Sequence, residues 1–313
     1  MMAQLIKLQD YISRYEQDIY KYPSRFVRLK KQQWEKLLNQ WENDDMDHGG
    51  EPVATSNQTS KGLLSKLTSL VKKESSGVRV IETVQNEDLF HLEQQKILAS
   101  IHNIDELKQH FLDQLLHFQI KWASSTVASV SFPDQSFFHD SILKYFLQRF
   151  PDNVLVLYQP IFLVKKAPFE SEIILISPTE IWCITFIEEE ENAVFVGSKE
   201  HFWIKKGTSQ EKKVLNPIMA VDRTEKVIKD FLNQHQVSLP IKKAVICRNG
   251  YIDYPTSPFG VELLEKRNYT SWFEKFRKER APIKSEQLKA AKALLESAQS
   301  IYSKRAEWNH DDE

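Results

Sequence analysis

Two carboxylates, Glu170 and Glu172, stand one residue apart at the head of a long apolar run. Side chains alternate between faces in extended chain, so this spacing puts both on one side of a strand. Hard divalent cations take carboxylate oxygens, and such a pair can begin a metal site, with Glu172 as the ligand. Phosphodiester cleavage needs more. It requires a further acidic or carbonyl ligand from the neighbouring strand, and a lysine or metal-bound water to supply the nucleophile. The second arm of the same hairpin should carry those groups.

The elements that must position them are legible around the pair. Glu172 to Ser177 is almost entirely β-branched or apolar, Pro178-Thr179-Glu180 supplies a turn, and Ile181 to Ile187 resumes the β-rich pattern. Neither arm alternates cleanly between polar and apolar, which places both centrally in a sheet covered on two faces. Further on, Asn216 can cap and Pro217 can open an amphipathic helix, and Ile241 to Cys247 makes another buried strand. This succession predicts an α/β or α+β body with a mixed central sheet.

The same stretch resembles the core of the nuclease-related domain (NERD), in the PD-(D/E)XK nuclease-like group. That pattern runs E-x-D, an apolar strand, a turn, and an apolar strand ending in E-x-K. Aligned on Ser177-Pro178 and Ile181-Trp182-Cys183-Ile184, the first pair falls on Glu170 and Glu172, and the second Glu and the Lys fall on Thr185 and Ile187. Phe195-Val196-Gly197 and His201-Phe202-Trp203-Ile204 resemble the short strands that follow. Asn216-Pro217 resembles the N-P-x-x-Q helix start, with Ala220 at the Gln. Upstream, His139-Asp140 stands where the family carries Gly-Glu.

The resemblance implies a restriction-endonuclease-like core with N- and C-terminal helical additions. It also implies a vestigial site, because Thr185 cannot act as a charged ligand and Ile187 can neither orient water nor offset phosphate charge. Asp140, Lys226 and Lys229 are the groups that could compensate, with Lys199 and Lys205 further candidates. Mg²⁺ or Mn²⁺ enters only if they do.

The 313 residues are 41% hydrophobic and 27% charged, enough for a sizeable core, and a net charge of -1 gives no global bias towards nucleic acid. Cys183 and Cys247 both lie in apolar runs and read as small buried fillers rather than ligands. No stretch reaches the roughly 18 apolar residues of a membrane span, and the N-terminus has no leader-like pattern, so the expected location is cytoplasmic.

Five segments are expected along the chain. Residues 1–43 read as helical, interrupted at Pro23. There Arg25, Arg28, Lys30 and Lys31 interleave with aromatics in a way that suits DNA or RNA contact, or a helix docked by its aromatic face. Residues 44–84 read as a flexible linker containing a short basic amphipathic helix at 61–73, a shape that fits a partner's groove or an anionic membrane surface. Residues 85–131 read as helical with a break near Asn103, 132–267 as the nuclease-related body, and 268–313 as C-terminal helices. His110 and His117 share a helix face as surface or interface residues, and Glu188 to Glu191 reads as a solvated tip in which Glu188 could replace the acid lost at Thr185.

Three functions fit this reading. The favoured one is a catalytically impaired body serving as a nucleic-acid-binding or protein-interaction module. The others are an active metal-dependent nuclease with relocated residues, and a structural protein that makes its contacts through 61–73.

Overall fold

Apolar runs without alternation form the middle of one sheet. The computed structural model describes residues 2–47, 100–207, 210–256 and 258–305. Its main sheet has six strands in the order β1 (Gln4–Leu8), β3 (Leu155–Tyr158), β6 (Ile173–Ile176), β7 (Ile181–Phe186), β11 (Ile241–Cys247) and β13 (Glu262–Glu265). Among the described residues six helices accompany it: α1 (Tyr22–Asp47), α2 (Ile104–Trp122), α3 (Ser141–Arg149), α4 (Pro217–Gln234), α5 (Tyr269–Lys278) and α6 (Ser285–Ser297). This is the expected α+β class with a mixed sheet.

β6 and β7 form the expected antiparallel hairpin, closed by Ser177, whose hydroxyl accepts the N–H groups of Thr179 and Glu180 at 3.3 and 3.1 Å. β11 runs parallel to β7, and a parallel neighbour needs a crossover, which α4 supplies. Asn216 caps α4 by accepting from Ile218 N–H, and Pro217 occupies the first turn, where no amide partner is missed.

Both faces of the sheet are covered. On one, Leu157, Ile174, Cys183 and Val245 belong to a core shared with Val221 and Ile228 of α4 and Ala290 and Leu294 of α6. On the other, Phe186 meets Phe146 of α3 edge-on at 5.5 Å, and Trp182 meets Trp272 of α5 at 5.3 Å. Burying each such side chain contributes about 1.5–3 kcal/mol before entropy is subtracted. Gln287 of α6 is fully buried, yet its amide nitrogen donates to the carbonyls of Asn153 and Ile176 at 2.6 and 2.8 Å and its oxygen accepts from Lys284 N–H at 3.3 Å, so its own polar atoms are partnered.

Smaller sheets flank this body. β8 (Val194–Val196), β9 (Phe202–Lys206), β10 (Lys212–Leu215) and β12 (Tyr251–Asp253) form one in the order β10-β9-β8-β12. β4 (Ile161–Val164) and β5 (Ala167–Glu170) form a hairpin, and β2 (Ser129–Val130) pairs with β14 (Ser303–Lys304).

Three readings of the chain are corrected here. Gln4–Leu8, within the segment read as helical, is a buried edge strand parallel to β3, and Pro23 lies in the first turn of α1 rather than interrupting a helix. α1 also runs to Asp47, into the segment read as linker. After α6 the chain does not stay helical: Gln299 and Ile301 donate their amides to the carbonyls of Ile161 and Asp10, which draws the segment into β14. The helix expected at 61–73 lies outside the described residues.

The chain divides into two units, Met1–Leu29 with Leu112–Glu313, and Lys30–Phe111. In the second, Trp34 packs on Phe111 at 5.3 Å and the Trp41 indole donates to the Ile101 carbonyl at 3.1 Å. No helix among the described residues is long and apolar enough to cross a membrane.

Candidate functional site

The β6–β7 register pairs Ile173 with Ile184, so the next positions out, Glu172 and Thr185, face each other across the hairpin. Thr185 is also held from its other side, opposite Val245 of β11, and is buried. Its hydroxyl lies on the Glu172 side of the pair and favours the charged carboxylate. Ile187, two residues further and on the same face, packs against the core, and its amide donates to the Ile246 carbonyl at 3.0 Å. Glu172 is half-buried, and its own amide donates to the Thr224 hydroxyl of α4 at 3.1 Å. Burial pushes its carboxyl above the usual glutamate range, and the Thr185 hydroxyl and the Arg223 charge pull it partly back.

Glu170 does not share this setting. It ends β5, opposite Ile161, and is exposed. Ser171 separates the two glutamates: its amide and hydroxyl both donate to the Pro160 carbonyl, at 3.1 and 2.8 Å, and the chain passes from one sheet to another there. The expectation of one extended strand carrying both carboxylates is therefore corrected. A hard cation takes about six or more oxygens, whereas this edge offers one carboxylate, one hydroxyl and an isoleucine. These groups do not fit a divalent-ion site. Among the described residues no three His, Cys, Asp or Glu side chains gather in a metal-holding group.

The compensating candidates lie elsewhere. Asp140 caps α3: one oxygen accepts from Ile142 and Leu143 N–H and the other from the Tyr158 hydroxyl at 2.7 Å. Tyr158 is next along from the Leu157–Ile174 pair, so it shares the sheet face of Ile173, opposite to that of Glu172. Lys226 and Lys229 are both exposed on α4. At 100° per residue from the buried stripe of Val221, Thr224 and Ile228, Lys226 points outward. Lys229 falls on the flank of Asp222 and Glu225, which both hold Lys243 of β11 at 2.7 Å. Lys205 pairs with Glu190 at 3.0 Å, and Lys199 is exposed. Glu188 is no substitute acid either. Arg248 grips it through Nε and Nη2, at 2.5 and 2.7 Å, and lies 4.4 Å over the Tyr145 ring.

The N-terminal basic residues have a partly structural setting. Tyr15 and Tyr22 are buried around Trp122, at ring distances of 6.0 and 5.6 Å, so they offer no stacking surface; the Arg25 guanidinium covers Tyr22 at 5.6 Å. Arg28 is exposed, Lys30 is half-buried, and Lys31 makes a loose exposed pair with Glu35 at 3.9 Å. His117 leans on Phe138 at 5.1 Å.

Sequence reasoning missed Thr224, whose hydroxyl accepts the Glu172 amide, and Arg223, whose charge acts on the Glu172 carboxyl. The amphipathic pattern of α4 does carry a signal, since Thr224 falls on the stripe that must face the sheet and Arg223 on its flank.

Comparison with curated proteins finds an RNA 2′,3′-cyclic phosphodiesterase of Geobacillus stearothermophilus, 35% identical over 124 residues, 38% of this chain and 36% of that protein. The chain thus spans about a third of that relative's length. No family model matches, and no solved structure matches.

Proposed function

We propose that this protein binds phosphodiester-containing nucleic acid, RNA foremost, through a body of nuclease-related type that no longer cleaves it efficiently. The observation that carries the reading is the pairing of Glu172 with Thr185, beside the packed Ile187, at the edge where the resemblance calls for a second carboxylate and a lysine. One acid without a second charged ligand holds a metal poorly, and without a lysine the developing phosphate charge goes unmatched. Losses of this kind are about 3 kcal/mol each, on the order of 100-fold in rate per group. RNA is placed first because the relative is named for acting on an RNA phosphodiester.

That name also favours a second reading, an active phosphodiesterase whose missing groups come from elsewhere. Incubation of the full chain with plasmid, single-stranded DNA and single-stranded RNA in Mg²⁺ or Mn²⁺, beside Glu172→Ala, separates the two. The expected result is binding with intact substrate. Cleavage that vanishes in the variant would make the protein an enzyme and overturn the first reading.

A further inference from the structure

We propose that a cavity of about 250 Å³ at the turn end of the β6–β7 hairpin is a binding site for a small zwitterion, a free α-amino acid with an apolar side chain. It lies at the opposite end of β7 from Thr185, so it stands apart from the Glu172 edge and does not depend on the function proposed above.

Strand register builds the floor. β7 and β11 pair Trp182 with Lys242, and β11 and β13 pair Ala244 with Glu262. Alternation along β11 puts Lys242 and Ala244 on one face, so Trp182, Lys242 and Glu262 all project to the side that α5 covers. There Trp272 and Phe276 meet Trp182 at ring distances of 5.3 and 5.8 Å, and the three buried rings make the floor apolar. Lys275 of α5, Glu279 just after it and Glu180 of the hairpin turn complete the wall.

Both signs of charge ring this floor without meeting. Among the described residues Glu262, Lys242 and Lys275 make no hydrogen bond and no ion pair. Glu180 and Glu279 each have one oxygen occupied, by the Trp182 indole at 2.7 Å and by Ala281 N–H at 3.1 Å, which fixes both side chains and leaves each a second oxygen. Partial burial holds the Glu262 carboxyl above its usual range, and the charges of Lys275 and Lys242 draw it back, so these groups sense one another across the cavity. Trp272 adds a buried indole N–H without a partner among the described residues, a rare condition in a finished core.

The ligand class follows from that lining. A simple anion would face three carboxylates, and a simple cation two ammonium groups. A zwitterion is matched at both ends: its carboxylate by Lys242 and Lys275, its ammonium by the glutamates, and its apolar body by the rings. The volume falls below the roughly 300 Å³ at which pockets for larger ligands begin, which suits an amino acid and not a nucleotide. The larger cavity, about 380 Å³ between the turn at Arg14–Glu16 and α6, has no such capacity. There Glu16 is held by Lys7 and Ser300, Asp18 accepts from Tyr20 and Lys21 N–H, and Lys292 pairs with Glu296 at 3.6 Å.

The test titrates the ¹⁵N-labelled full chain with L-leucine and then L-phenylalanine, following the indole N–H resonances of Trp182 and Trp272, assigned through Trp182→Phe and Trp272→Phe. Saturable shifts of both resonances are expected with at least one of the two amino acids. Its amide, which lacks the carboxylate, and its N-acetyl derivative, which lacks the ammonium, should bind about tenfold or more weakly. Lys275→Met and Glu262→Gln remove exposed groups with no partner in the fold, and each should weaken binding about tenfold or more with an unaltered thermal transition. Absence of a saturable shift with both amino acids would overturn the proposal. Equal binding of either capped compound would do the same, since the cavity would then read one charge or none, and so would binding that both variants leave unchanged. Should a variant unfold, the capped compounds on the natural chain still decide.

Discussion

Lys7 and Glu172 are both ionisable groups withdrawn from water, and their surroundings differ in kind. The Lys7 side chain is fully buried, and its three donors reach the Tyr11 carbonyl at 2.9 Å, Glu16 at 2.6 Å and the Ser300 hydroxyl at 2.6 Å. Ser300 in turn donates to Glu16, which also accepts from Ser13 N–H, so the cluster closes on itself. It joins β1, the turn at Arg14–Glu16 and the segment after α6. Around the Glu172 carboxyl no such ring closes: among the described residues no ion pair holds it, and the Thr185 hydroxyl and the Arg223 charge only partly offset its burial. A closed network holds a fold together; an open one has capacity left for a ligand.

The largest effect expected from this contrast is on stability at the closed site. Lys7→Ala strands Glu16 against Ser300 and removes a buried pair, a loss of about 3–5 kcal/mol. Urea unfolding measures it, and a loss below about 1 kcal/mol would mean that the cluster is loose and the contrast empty.

At the open site the effect is smaller and depends on pH. The native carboxyl of Glu172 sits above the usual range, so the protonated form is favoured by folding. Its contribution is fully present below the ordinary glutamate value and is lost as pH rises through the raised native value. Glu172→Gln should flatten that slope and stabilise the protein at neutral pH by about 1 kcal/mol or less. Parallel denaturation curves from acid to neutral pH check it. A variant that is less stable than the natural sequence at neutral pH would show Glu172 to be a structural carboxylate.

The smallest effect sharpens the contrast most. Arg223→Gln should leave stability within about 0.5 kcal/mol, because the exposed side chain makes one hydrogen bond to its own helix. A larger loss would mean that Arg223 belongs with the closed network.

The physical origin of each feature decides how far it could be read from sequence. The β6–β7 hairpin, the Asn216 cap, the crossover helix and the β11 strand rest on local composition and turn chemistry, and all are visible as strings of residues. β1 was hidden because Lys7 interrupts its apolar run, and only partners as distant as Ser300 make that burial tolerable. Glu170 and Glu172 appeared paired because spacing does not report the bend at Ser171. Thr185 and Ile187 could be placed by alignment on the hairpin, but Arg223 could not, since its nearness to Glu172 depends on how α4 rolls against the sheet.

The central claim is that the Glu172 edge engages a phosphodiester without breaking it. The most direct measurement uses a 5′-labelled RNA oligomer ending in a 2′,3′-cyclic phosphate, incubated with the full chain in Mg²⁺ or Mn²⁺ and followed for both retention and products. The account predicts that the RNA is retained and that chain and cyclic end stay intact. Opening of the cyclic phosphate, or scission of the chain, that disappears in Glu172→Ala would contradict it.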